Sequence, residues 1–440
     1  MTTIGSLRIG KSKHDDYHTL MQYKQALGVA SAMDIDRFFV IASAEGDTIT
    51  DIWGRQYVDC TSQGWVASIG HSHPRVIAAV KELMEDGLIH VRPSYYTLPR
   101  LELAYRLTQI APEGLSKVNF CLHGSVAVEG ALKLVLIKNH QSPIAILDTG
   151  YSGRSIATMS LSWDAGEKPE FARLANRVVT VPSAYCYRCK FGKCEGQCNF
   201  ECVEMTEAIL RREKPSALIY EPVQGNGGQI TFPYAYHRLL QGVCRSTGVT
   251  FIADEMQTAF GKLRGVFASD LYGVTPDILA FGKAIGGGFP LAGTLYGDDF
   301  DFRPGDQTFT AAGFPLSMAA ALEVLSILED ERICEQADTK GEFFKALLLG
   351  LQERYAIIGD VRAEGLLIGV ELVKDRQTKE PACDEVQQLI DFGIEHGVLF
   401  GCDKHGGLGN TLKIKPPAVI TLDHVSDVVD VLERGLKTIN

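Results

Sequence analysis

Between residues 117 and 281 the sequence repeats one texture, in which short apolar runs alternate with stretches of helical spacing. The runs are Val118–Leu122, Ile144–Leu147, Leu218–Tyr220, Thr250–Ala253 and Ile278–Phe281. Strands this short and this uniformly apolar are buried on both faces. That happens where helices cover both sides of a mainly parallel sheet, so the fold class is α/β. Upstream, residues 38–60 alternate apolar and polar groups around Gly46 and Gly54, which predicts hairpin strands. Helical periodicity follows over Pro74–Met84 and Leu101–Ile110, and again from Asp330 to Tyr355. The remainder to Asn440 mixes strands and helices, as a smaller second domain would. A chain of 440 residues is too long for one simple core, which agrees with two packed units.

Composition narrows the function. A formal net charge of −11 argues against a nucleic-acid partner. No apolar run approaches the ~18 residues of a membrane span, and the first residues lack the apolar core of a secretory signal. The expectation is a cytoplasmic protein with no membrane partner. Eleven cysteines in such a chain read as thiols and not as a disulfide framework. Cys186, Cys189, Cys194 and Cys198 have a spacing dense enough for zinc or an iron–sulfur cluster, and Cys202 follows. Metal, a disulfide and unbound thiols all stay open for this loop, and no metal is assigned.

Chemistry enters with Lys283, in Phe281-Gly282-Lys283-Ala284-Ile285-Gly286-Gly287-Gly288, and with Asp254, which closes a buried run before Glu255-Met256-Gln257. A lysine amine can form a Schiff base with a cofactor aldehyde. A carboxylate can keep a pyridine nitrogen protonated, so that the ring draws in electrons. That pairing points to pyridoxal 5'-phosphate. Gly124 and Ser125 stand where a buried strand turns into a helix, a place suited to a phosphate group. Tyr151 follows another strand and can stack on a planar ring. Each feature alone has a plainer reading as a loop, a helix start, a packing tyrosine or an N-cap.

Taken in order, the motifs resemble one family. Glu221-Pro222-Val223-Gln224-Gly225-Asn226-Gly227-Gly228, Ile252-Ala253-Asp254-Glu255-Met256-Gln257-Thr258-Ala259-Phe260-Gly261, Pro276-Asp277-Ile278 and Phe281-Gly282-Lys283 are similar to the class III aminotransferases. The likeness runs from Gly70-His71-Ser72-His73-Pro74 to Ile358-Gly359-Asp360-Val361-Arg362 and Pro416-Pro417. It implies pyridoxal-phosphate fold type I, like aspartate aminotransferase, with a smaller α+β domain built from both termini. The implied divisions are 1–70, 71–325 and 326–440. The resemblance also implies roles: Lys283 carries the cofactor and moves the proton, Asp254 binds the ring nitrogen and Gln257 the 3-oxygen. Tyr151 and Met256 would lie on the two ring faces, and Gly124 and Ser125 would hold the phosphate. Thr310 would reach the phosphate of a partner subunit, because the family's sites are shared across a homodimer. An amine donor and a carbonyl acceptor would react in turn.

The chain departs from the family pattern in places. Val126 stands where the phosphate turn usually has a glutamate. Lys413 and Asn226 occupy the positions of an arginine that grips the α-carboxylate and of a glutamate that neutralises it. Lysine offers a point charge and no planar fork. An ordinary α-amino acid is therefore not the expected substrate; an amino sugar or another secondary-metabolite amine is. Trp65 joins Lys413 and Asn226 as a substrate candidate. The run Thr310-Ala311-Ala312-Gly313 also resembles the racemases and epimerases of the same group, which is the alternative activity.

Overall fold

The computed structural model describes residues 39–139, 143–163, 177–193, 198–403 and 407–439. Strands β1 (Ile41–Glu45), β2 (Thr48–Asp51) and β3 (Gln56–Asp59) pair as antiparallel hairpins, as the alternation predicts. The central sheet uses β4 (Lys117–Cys121), β5 (Ile144–Leu147), β6 (Val178–Val181), β7 (Ala217–Tyr220), β8 (Thr250–Asp254), β9 (Ile278–Phe281) and β10 (Ala292–Tyr296). Their spatial order is β4-β10-β9-β8-β7-β5-β6. Strands β9, β8, β7, β5 and β6 are parallel, and only β10 is antiparallel to both its neighbours. β4 therefore points the same way as the parallel set.

The apolar runs do not reveal β6 and β10. The latter reads Ala-Gly-Thr-Leu-Tyr, and its glycine is a packing requirement. A Cβ on Gly293 would lie 2.5 Å from the Phe281 ring on the neighbouring strand.

Both ends of the chain then combine. Strands β11 (Ile358–Glu364), β12 (Leu367–Leu372), β14 (Gly401–Cys402) and β15 (Thr411–Ile414) form an antiparallel sheet, while β13 (Val398–Leu399) pairs in parallel with β3. The helix expected from Asp330 to Tyr355 is present as Ile333–Arg354; another, Pro315–Asp330, precedes it, and Arg332 at φ +52° separates the two. Helix Pro315–Asp330 runs through residue 325 and packs on helix Pro74–Glu85. Among the described residues no helix is long and apolar enough to cross a membrane.

Arg362 ties the smaller sheet to the central one. Its Nη1 donates to Asp360 and Glu371 at 2.7 Å each, and its Nε and Nη2 donate to the Gly228 carbonyl at 3.1 and 2.8 Å. The guanidinium is buried, so those partners satisfy a charge that would otherwise be costly inside the protein. Gly228 ends the turn that follows β7, and Arg362 thereby fixes that turn against β11.

Candidate active site

Five strands that point the same way each deliver residues at or just past their carboxyl ends, the side where open α/β sheets bind ligands. β4 leads to His123, Gly124 and Ser125, and β5 to Tyr151. β7 leads to Glu221, β8 to Asp254 and Gln257, and β9 to Lys283. These side chains line one cavity of about 390 Å³ together with Met256.

At one wall, helix Gly124–Lys138 begins, with Gly124 and Ser125 of its first turn lining the cavity. Ser125 N donates to His123 Nδ1 at 3.3 Å, and Ser125 Oγ accepts from Arg154 N at 3.1 Å. A Cβ on Gly124 would come within 2.9 Å of Met256 Sδ, and one on Gly153 would collide with Ser125 Oγ. Both glycines keep this wall thin enough for an anion to reach backbone.

On the floor, Asp254 is 5% exposed, and its Oδ1 accepts from Met256 N at 3.1 Å. Burial pushes its carboxyl up to about 6, against the opposing pull of Met256 N–H and the Lys283 amine. Lys283 follows β9 in a left-handed conformation, φ +50°, which a lysine rarely adopts without a tightly determining surround. Burial pulls its amine down to about 8; Asp254 and Glu221 oppose that shift, and Lys413 adds to it. A lysine near 8 is a competent nucleophile and proton carrier close to neutral pH.

Glu221 belongs to this group although its motif assigns it no role. Its Oε1 accepts from Tyr151 N at 2.8 Å, and burial followed by the nearby Asp254 charge pushes it up to about 8. A carboxylate placed directly after an all-buried strand is the signal that marks it. Gln257 Nε2 donates to Asn226 Oδ1 at 3.3 Å, while its Oε1 is buried with no partner among the described residues.

Trp65, Asn226, Lys413 and Thr310 do not line this cavity, and Asn226 meets it through Gln257. Trp65 and Lys413 nevertheless gather around the Lys283 amine. The Trp65 ring centroid lies 5.1 Å from Lys283 Nζ, 5.3 Å from Lys413 Nζ and 3.4 Å from Lys415 Nζ. Lys415 carries no motif signal; it is buried, with its amine held well below the ordinary lysine range by desolvation and by Lys413. Thr310 is exposed on the surface.

A buried carboxylate under a depressed lysine, a thin-walled helix N-terminus and an unpartnered amide oxygen together fit pyridoxal phosphate. Along the cysteine segment, Cys186, Cys189 and Cys198 are half-buried thiols and Cys202 is buried, while Cys194 lies outside the described residues. Among the described residues no cluster of His, Cys, Asp and Glu is arranged to hold a metal. Tyr185 and Arg188 of that segment bond to Glu371 and line a separate cavity of about 160 Å³.

Comparison with known proteins agrees with this geometry. The family model for class-III aminotransferases matches residues 30–436. The chain is 33% identical to a leucine/methionine racemase of Thermococcus litoralis, covering 90% of each chain. It is 32% identical to an acetylornithine aminotransferase of Methanosarcina acetivorans, covering 90% of this chain and 91% of the relative. Among solved structures, an (S)-enantioselective omega-transaminase from Thermomicrobium roseum superposes with a TM-score of 0.86 at 27% identity, over 96% of this chain and 99% of that one.

Proposed function

The chain belongs to the class III aminotransferase family, and from that premise we propose that it moves an amino group between an amine that also carries an acidic group and a carbonyl acceptor. When bound, pyridoxal 5'-phosphate supplies the aldehyde carbon that takes up the amino group and a ring that spreads the charge left at Cα. Asp254 holds the ring nitrogen, Gln257 the phenolic oxygen, and Tyr151 and Met256 the ring faces. Gly124 and Ser125 hold the phosphate. Lys283 Nζ takes the proton from Cα and delivers it for the transfer. Glu221 orients the Tyr151 backbone through the hydrogen bond to its N–H.

The observation that carries the reading is that Lys283, Asp254, Glu221 and Gln257 line one cavity of about 390 Å³, beside the start of helix Gly124–Lys138. Substrate class follows from the amines around Trp65. The Lys413 cation, felt at Lys283, would repel a polycationic amine and attract an acid group. Among secondary-metabolite amines this favours an acidic one over a basic amino sugar.

Two further features support a homodimer with shared sites. Tyr95, Tyr96, Leu98, Leu101 and Tyr105 form an exposed apolar patch on and before helix Leu98–Ile110. Thr310 is exposed outside its own chain's cavity, where a partner's phosphate could meet it.

Adding an amine to the loaded enzyme without acceptor tests the reaction. Transamination converts the cofactor spectrum to its amine form and releases one equivalent of carbonyl product. Similarity to the Thermococcus racemase favours a second reading, in which the proton returns to Cα. Stereoinversion with deuterium uptake at Cα and no carbonyl product would replace the first reading by the second.

A further inference from the structure

We propose that Lys262 is a positioning residue that holds the left-handed turn Ser62–Trp65 in the shape that lays the Trp65 indole beside the Lys283 amine. The proposal rests on the reading of Lys283 and Trp65 as parts of one site.

Lys262 is 0% exposed. Its Nζ donates to Ser62 Oγ at 2.6 Å, to the Pro416 carbonyl at 2.8 Å and to the Lys415 carbonyl at 3.4 Å. These acceptors are all neutral, and among the described residues no carboxylate lies within ion-pair distance of this amine. Burying an ammonium against uncharged acceptors is a costly way to fill a core position, so a long aliphatic side chain would serve packing better. What the amine does that a methyl cannot is join three distant segments: the turn after β3, the loop after β8 and the residues after β15.

The turn needs such a brace. Ser62, Gln63, Gly64 and Trp65 have φ of +44°, +45°, +78° and +71° in succession. Three of the four carry a Cβ, and left-handed backbone in such residues persists only where the surroundings over-determine it. Ser62 Oγ donates to the Lys415 carbonyl at 2.6 Å while accepting from Lys262, so its side chain is locked from both sides. Thr61 adds weaker ties, its Oγ1 accepting from Gln63 N at 3.2 Å and from Gln63 Nε2 at 3.4 Å. Without Lys262 the first residue of the turn loses a donor, the strain is no longer opposed, and the indole shifts from the three amines.

The test uses the holoenzyme and the variants K262M, Q63G and K262M/Q63G. Gln63 is exposed, and glycine adopts positive φ without steric cost, so Q63G alone should behave as wild type. K262M should keep its cofactor, raise KM for the amine by about tenfold or more, and alter kcat less. In a background with Trp53→Phe and Trp163→Phe, the Trp65 emission of K262M should shift before any amine is added. The double variant should recover most of both changes, because glycine removes the strain that Lys262 opposes. Unchanged KM and emission in K262M overturn the proposal, and so does a double variant no better than K262M. Should K262M not fold, K262Q against K262Q/Q63G makes the same comparison, with the same results supporting or overturning the brace. The emission is read without substrate, so it reports on the brace even if the amine class proposed above is wrong.

Discussion

A methyl group on Gly225 would occupy the space of Gln257 Oε1. The turn after β7 and Gln257, the residue proposed for the cofactor's phenolic oxygen, are thus fitted to each other with no room to spare. Asn226 on the same turn receives the Gln257 amide at 3.3 Å, so moving the turn moves both.

Gly225→Ala should therefore push Gln257 aside, at a cost of about 1–3 kcal/mol for the overpacking. The expected result is a shifted cofactor absorbance and a kcat/KM lowered by roughly tenfold or more, with the fold retained by circular dichroism. A variant with an unshifted spectrum and wild-type kinetics would remove Gln257 from the site.

The Lys283 amine should set the acid limb of cofactor capture. It is the neutral amine that attacks, and its pKa in the fold has fallen from 10.5 to about 8. The rate at which apoenzyme captures pyridoxal phosphate should then rise with pH through about 8. Lys413 depresses that amine further, so Lys413→Met should move the limb to higher pH. A limb that stays put or moves down would show that the Lys413 charge is not felt at Lys283.

Arg362→Met should leave Glu371 and Asp360 without their shared cation and the Gly228 carbonyl without its donors. Breaking a buried pair from one side costs about 3–5 kcal/mol, readable by urea unfolding. Replacing Glu371 by Gln in the same chain should recover part of the loss. A single variant as stable as wild type would mean that the network contributes orientation and no stability.

Tyr96→Glu combined with Leu98→Glu places charge on an apolar patch where these residues are 77% and 75% exposed. If that patch is covered by a second copy, sedimentation should show monomers. The cofactor should loosen about tenfold or more with the loss of one charge-assisted hydrogen bond from Thr310. Thr310→Ala should loosen the cofactor without splitting the dimer. Monomeric wild-type protein that binds its cofactor tightly would contradict both.

How much the sequence discloses depends on where a property is stored. Lys283, Asp254, Gln257, Tyr151, Gly124 and Ser125 are legible because each follows a short apolar run, and a strand's carboxyl end is a fixed address in such a sheet. Glu221 sits at the same address but lacks a distinguishing neighbour. Lys415 and Lys262 are illegible in another way, because their meeting with Trp65, itself a candidate from the sequence, depends on three segments that are remote along the chain. Nothing in Ser62 or Gln63 favours positive φ, so the turn that aims the indole is written in its contacts and not in its residue types. β10 stays hidden because a glycine and a threonine interrupt its apolar character where it must approach Phe281 closely.

The central sheet supplies the groups proposed to handle the cofactor, whereas Trp65, Lys413 and Lys415 come from the two chain ends. Reagent and filter are thus kept on separate pieces of backbone. A lineage built this way can retune which amine it admits by drifting at its termini, while the machinery that breaks the bond stays untouched.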